Sequence, residues 1–450
     1  MSQNRRSFIK KAALAGAAAA SATKAYAEKG ALPFEIMRRA PRPSPKQTLH
    51  IALIGAGGMG TVDANTALEH EGVRITAVCD LYDGNLDAAR ERWGSHLFLT
   101  RKYEEVLSRT DVDVVIIGTP DHWHKDISIA ALKAGKHVYC EKPMVHSISE
   151  GHELIKAWRD SGKIFMVGSQ GLSSLGNEKA RELLAAGVIG DINYAEGFWA
   201  RHSPGGAWQY PIPSGANERT VDWARYVSNT TQRPYDPLRF FRWRNYRDYG
   251  TGMSGDLFVH LFSSLHFITN SLGPTKIAAM GGLRYWKDGR EVPDVLLGMF
   301  DYPDSEAHPG FNLSLRCNFI DGTSGSTYLK INGSKGSLNV GWNDVTVERN
   351  KTTHQDDPFL EAKEKEMGST YAGRKQMLPP QKMVYEVEKG YKGAHFDHFG
   401  NLFRAIREGG QVVEDPVFGF RACAPALLCN DSYFEDRYIQ WDPVGMKVIG

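Results

Sequence analysis

The chain has 450 residues, 42% hydrophobic and 24% charged, with 54 Lys and Arg against 52 Asp and Glu for a formal charge of +2. That length allows two or three domains. The balance excludes a disordered tail, a collagen-like fibre and a disulfide-stapled miniprotein, and the near-neutral charge argues against a basic nucleic-acid binder.

The charge is unevenly placed. Arg5, Arg6, Lys10, Lys11 and Lys24 lie in residues 1–27, which contain no acid, so the remainder is mildly acidic. A charged opening, the weakly apolar stretch Ala12 to Ala22 and the small residues of Ala25-Tyr26-Ala27 have the layout of an export signal. The apolar stretch is about half the roughly 20 residues a bilayer span needs, so no stable membrane anchor is expected. Arg5-Arg6-Ser7-Phe8-Ile9-Lys10 resembles a twin-arginine (Tat) signal, which implies a periplasmic or otherwise exported protein that folds before transport.

Residues 28–48 carry Pro33, Pro41, Pro43 and Pro45 and suit an extended arm. From Leu49 the pattern changes. Apolar runs at 49–54, 74–79, 112–117, 137–140 and 164–167 alternate with helix-like segments, which predicts βαβ units and a parallel sheet over 49–170. Ser147 and Glu150 form a capping-box start for the last of these helices. Residues 171–450 read as an α+β domain: a helix at 177–186, a strand at 192–199, and a stretch rich in Pro, Trp and Arg from 203 to 250. Then come a helix near 256–270, consecutive strand-like runs, and two late helices at 395–408 and 418–434. The fold class is thus α/β, an N-terminal Rossmann dinucleotide-binding domain plus a C-terminal α+β domain with a large, mostly antiparallel open sheet. Such a sheet would offer a dimer face, so a homo-oligomer is expected.

The run Ile51 to Ile54 leads into Gly55-Ala56-Gly57-Gly58-Met59-Gly60, and Asp80 ends the next strand. In that context Gly55 permits the tight turn, Gly57 lets backbone N–H groups approach a pyrophosphate, and Gly60 permits close helix–strand packing. Gly58 and Met59 open the helix whose N-terminus favours an anion. Asp80 can accept hydrogen bonds from a ribose diol and would repel a 2′-phosphate, which favours NAD over NADP. Two further clusters end predicted strands on the ligand side of such a sheet: Gly118-Thr119-Pro120-Asp121-His122-Trp123-His124 and Cys140-Glu141-Lys142-Pro143.

With these elements the sequence resembles the Gfo/Idh/MocA family of sugar and cyclitol oxidoreductases. The resemblance rests on Glu141-Lys142-Pro143, on Thr119, Pro120 and His124, and on Asp256 and His260 in SGDLFVH. It implies Lys142, Asp256 and His260 as the catalytic group, with Thr119, Pro120, His124, Glu141 and Lys142 joining the glycine turn and Asp80 around the cofactor. The long aromatic insertion at 203–250 departs from the shorter members.

Chemistry gives the trio independent roles. Oxidation of a secondary alcohol needs a base for the hydroxyl proton as hydride leaves carbon, and His260 is the best candidate. Asp256 lies one helical turn earlier, placed to orient substrate or tune the base. Lys142 can hydrogen-bond the reacting oxygen. Gln170, after the strand IFMVGS, lies next to the expected mouth of the site. Trp199, Arg201, Arg242 and Tyr246 belong to an aromatic and basic stretch that suits either a carbohydrate cleft or packing. No metal site and no disulfide framework are expected, because His122 and His124 lack companion ligands and Cys79, Cys140, Cys317, Cys423 and Cys429 are widely spaced.

These features predict an exported NAD-dependent oxidoreductase acting on a secondary hydroxyl of a sugar, sugar derivative or glycoside. Because free nicotinamide cofactor is not evident outside the cytoplasm, NAD is expected to be tightly retained. Two alternatives stay open: a glycosidase or lyase working by transient oxidation, elimination and re-reduction, and a non-catalytic sugar-binding protein with structural NAD.

Overall fold

The computed structural model describes residues 34–39, 47–323, 327–349 and 381–449, and the predicted signal 1–27 lies outside them. Residues 49–168 build a six-stranded, all-parallel sheet in the order Phe98–Thr100, Val73–Cys79, Leu49–Ile54, Val114–Ile117, His137–Glu141, Phe165–Gly168. Val114 to Ile117 are all buried, as expected of central strands covered on both faces. Gly55 turns the chain from the central strand into helix Gly58–Leu68 at φ +90°. A Cβ there would fall 2.7 Å from the backbone of Gly118. The predicted capping box forms, with the Glu150 carboxylate accepting from the Ser147 N–H, and starts the chain toward helix Gly151–Ser161.

An eleven-stranded, mostly antiparallel sheet forms the second half. Its order runs from edge strand Phe34–Met37 through Gln381–Val387, Asp344–Arg349, Gly336–Val340 and Tyr328–Gly333 to Ile192–Ala200. It continues through Phe311–Asn318, Val295–Tyr302, Lys276–Gly282 and Ile439–Asp442 to Lys447–Val448. The arm residues Phe34–Met37 thus add a parallel edge strand. Burial alternates along Val295–Tyr302, turning Leu296, Phe300 and Tyr302 inward. Helices Leu175–Ala185, Val259–Thr269 and Pro416–Glu435 cover the inner face. Met280 and Met299 on the other face are 78% and 57% exposed.

The division at residue 170 is crossed by both late helices, Pro416–Glu435 packing on strand Phe165–Gly168 and helix Gly151–Ser161 from one side. Helix Ala394–Glu408 lays Phe399, Leu402 and Phe403 into the same core as Leu49, Ile51 and Val114. Phe399 stacks on Tyr139 of the parallel sheet at 4.4 Å between ring centroids, and Phe396 stacks on His70 at 3.9 Å. No helix among the described residues is long and apolar enough to cross a membrane.

Candidate active site

The carboxyl ends of the parallel strands and the inner face of the large sheet enclose a cavity of about 640 Å³. On one wall stand Gly55, Gly57, Gly58, Met59 and Asp80, with Thr119, Pro120, Glu141 and Lys142 beside them. Gln170, Trp199, Arg201, Asp256 and His260 complete the predicted set that reaches it. These residues come from six strand ends and two helical segments, so the fold rather than sequence proximity assembles them.

The glycine turn suits a dinucleotide. A Cβ at Gly57 or Gly58 would meet nothing within 4 Å, leaving the helix N-terminus open to the cavity. Gly60 instead faces inward, where a Cβ would lie 2.0 Å from the Gly55 carbonyl oxygen. Asp80 accepts from the N–H groups of Ala56 at 2.7 Å and Tyr82 at 2.8 Å, which fixes the turn and the following strand end. Burial pushes its carboxyl up against the opposing effect of these bonds.

Lys142 and Asp256 form the polar centre. Lys142 Nζ donates to Asp256 Oδ1 at 2.8 Å and to the Asp256 carbonyl at 2.7 Å, which leaves one of its three N–H donors for a reacting oxygen. Arg244 donates to the same Oδ1 at 3.1 Å. Burial opposes charge on Asp256, but the Lys142 and Arg244 charges outweigh it and hold the carboxyl far below the carboxylate range. Asp256 sits in a π-helical turn, Ser254–Phe258, ahead of helix Val259–Thr269. The wider turn commits Asp256 to these two cations, where the sequence had placed it as an orienter of substrate or of His260.

His260 stacks on Trp199 at 5.4 Å and meets Trp342 edge-on at 6.1 Å. Burial, then the positive charge of Lys142, lowers its pKa to about 3, so among the protein's own groups the imidazole is neutral, a weak base able to accept a hydrogen bond from a substrate hydroxyl. Its Nδ1, Arg201 Nε and Thr119 Oγ1 are buried without a protein hydrogen-bond partner. Beneath Lys142, Glu141 accepts from Tyr139 and Gln170, and burial pushes its carboxyl up beside Asp63.

Three predicted contacts require correction. His124 does not line the cavity. Its two ring nitrogens lie 2.7 Å from the Pro143 carbonyl and 2.9 Å from the Thr119 carbonyl, so it ties the two strand-end turns together. Arg242 is spent on the insertion itself, donating to the Tyr210 carbonyl at 2.8 Å and to Gln209 at 2.6 Å. Tyr246 is buried in a separate aromatic cluster with Tyr82, Trp223 and Tyr249, under the Arg239 guanidinium. The pairing of Arg244 with Asp256 was not foreseen, while Trp208 and Tyr210, which belong to the stretch that suits either a carbohydrate cleft or packing, do wall the cavity. Only the density of Trp, Tyr and Arg at 203–250 signalled them.

His122 is buried, with Nε2 3.0 Å from the Tyr226 carbonyl. The described residues contain no group of three or more His, Cys, Asp and Glu placed to hold a metal. All five cysteines are buried and free.

Residues 49–169 match the Gfo/Idh/MocA oxidoreductase family's NAD-binding Rossmann domain, and residues 177–339 match its C-terminal domain. The chain belongs to that family. An uncharacterised oxidoreductase of Streptococcus pneumoniae is 33% identical over 161 residues, which are 35% of this chain and 42% of that protein. This chain therefore matches less than half of that relative's length. The 2,7-anhydro-N-acetylneuraminate hydratase of Escherichia coli is 26% identical over 318 residues, covering 69% and 75% of the two chains. Levoglucosan dehydrogenase, solved with NADH and L-sorbose, superposes with a TM-score of 0.64 over 88% of this chain and all of its own at 17% identity, a likeness of fold.

Proposed function

We propose that this Gfo/Idh/MocA protein is an exported, NAD-dependent oxidoreductase acting on a secondary hydroxyl of a sugar, sugar derivative or glycoside. The observation that carries the reading is convergence: Lys142 and His260 face the same cavity as the glycine turn and Asp80. Gly57, Gly58 and Asp80 would hold NAD, which supplies a hydride-accepting ring when bound. The remaining Lys142 donor hydrogen-bonds the reacting hydroxyl oxygen, and neutral His260 takes the hydroxyl proton as the carbonyl forms. Asp256 and Arg244 fix the ammonium in place. Trp199, Trp208 and Tyr210 offer faces for sugar C–H surfaces, and Arg201 offers an unpartnered donor for a ring hydroxyl. The N-terminal layout of Arg5 and Arg6 before Ala12 to Ala22 supports the export reading.

The test is a screen of cofactor-loaded protein against sugars and glycosides, following absorbance of reduced nicotinamide. Reduction by one sugar class supports the reading, and failure to bind either nicotinamide dinucleotide removes it.

A second reading is favoured by the hydratase relative: transient oxidation beside a leaving group, elimination, and re-reduction. Incubation with glycosides and no added oxidant separates the two. Free aglycone supports the lyase or glycosidase, whereas a stable keto-sugar supports the dehydrogenase.

A further inference from the structure

The insertion between strand Ile192–Ala200 and the π-helical turn does more than wall the sugar end of the cavity. Its backbone is stitched to the strand end that carries Asp80. Tyr82 and Val221 form an antiparallel bridge, with Asp83 donating to the Thr220 carbonyl at 2.9 Å and Asp222 to the Leu81 carbonyl at 2.8 Å.

Two further points of the Rossmann domain hold the same segment. Arg101 donates to Asp83 and to the Arg219 carbonyl, and Arg225 pairs with Glu104 at 3.1 Å. The Trp123 indole N–H donates to the Tyr226 carbonyl at 3.1 Å, and the Asn229 amide donates to the His122 carbonyl at 2.8 Å. Phe241 meets the Tyr82 ring edge-on at 5.2 Å. Tyr226, Phe240 and Phe241 line the same cavity as Gly57 and Asp80.

In an open doubly wound sheet the crevice beyond the strand ends faces solvent and lets a dinucleotide come and go. Here a segment of the same chain spans it at three separated anchor points. We propose that residues 209–241 form the second wall of the dinucleotide site, closing the end beside Asp80 and holding the cofactor as a resident group that does not exchange during turnover. The proposal rests on the NAD reading above. It makes cofactor release depend on opening the Tyr82–Val221 bridge and parting Phe241 from Tyr82.

Two variants test it by release of bound NADH, followed by its fluorescence during a chase with excess NAD. Phe241→Ala combined with Arg225→Ala removes the ring contact to Tyr82 and the ion pair to Glu104, along with the local contacts to Phe240 and Asp222, and release should quicken by about tenfold or more. Tyr82→Cys combined with Val221→Cys places two thiols across a bridge of the closely spaced kind, within disulfide reach. The native cysteines are all buried. The oxidised form of this variant should release NADH at least about tenfold more slowly than the same protein after reduction, a comparison free of any folding difference between variants.

Equal release from oxidised and reduced forms overturns the proposal, as does release from Phe241→Ala/Arg225→Ala at the unmodified rate. If NADH does not bind the unmodified protein at all, the NAD reading itself fails. If it binds and neither variant changes its release, only the assignment of the insertion fails.

Discussion

Lys142 Nζ is held 2.8 Å from Asp256 Oδ1, and both side chains are 9% exposed. A charge pair so buried is costly to break from one side, by about 3–5 kcal/mol, although Arg244 stays to compensate Asp256 here. Lys142→Met is expected to lower kcat by about 10²–10⁴-fold and to lower the melting temperature. Adding Asp256→Asn would strip Arg244 of its carboxylate partner, so neither turnover nor the melting temperature should recover. Steady-state kinetics and thermal unfolding check both arms, and full activity in Lys142→Met would remove the lysine from the chemistry.

His260 has its pKa lowered to about 3, first by burial and then by Lys142. The base is therefore already unprotonated throughout neutral pH, and kcat/KM should show no acidic limb from His260 between pH 5 and 8. A limb near the ordinary value of 6.5 that disappears in His260→Gln would contradict this arrangement.

Gly57 and Gly60 are three residues apart and should respond oppositely to the same change. Gly60→Ala would drive a methyl to 2.0 Å from the Gly55 carbonyl, so loss of folding stability is expected. Gly57→Ala meets no protein atom within 4 Å, so the melting curve of the free protein should hold while dinucleotide affinity falls. Calorimetric melting and binding titration on the two proteins check the contrast.

Asp80 sets the expected preference for NAD. Asp80→Ser removes the carboxylate that would repel a 2′-phosphate, and the NAD to NADP affinity ratio should fall by about tenfold or more. Titration with both nucleotides measures it. An unchanged ratio would place the discrimination elsewhere.

Glu414 is fully buried beneath Ser263, and burial raises its pKa to about 8 from an ordinary 4.5. The folded chain keeps a proton that the unfolded chain sheds, so this contribution to stability is complete below pH 4.5 and is lost as pH rises toward 8. The melting temperature should decline across that window, and Glu414→Gln should flatten the decline.

The alternation of β-rich runs and helices made the parallel sheet legible, because strands such as Val114–Ile117 are apolar on both faces and bounded by glycine turns. The ends of those strands placed Lys142 and the glycine turn correctly in one cavity. The insertion was opaque for a physical reason. Arg242, Arg244 and Tyr246 share one run, yet one pins a loop, one grips Asp256 and one packs, and nothing in their spacing separates these fates. His124 misled because a buried imidazole between two carbonyls looks, in sequence, like a ligand-facing one. The partner choice of Asp256 turned on a π-helical turn that helical spacing does not foresee.

Helix Ala394–Glu408, whose phenylalanines complete the core under the first parallel strands, has a consequence for biogenesis. Residues 49–168 leave the ribosome hundreds of codons before Phe399 and Phe403 do, and until then the sheet lacks one of its covers. The core of the parallel-sheet half is therefore complete only once the C-terminal helix is made. Truncation before residue 394 would thus strip a cover from the parallel-sheet half while removing none of its strands.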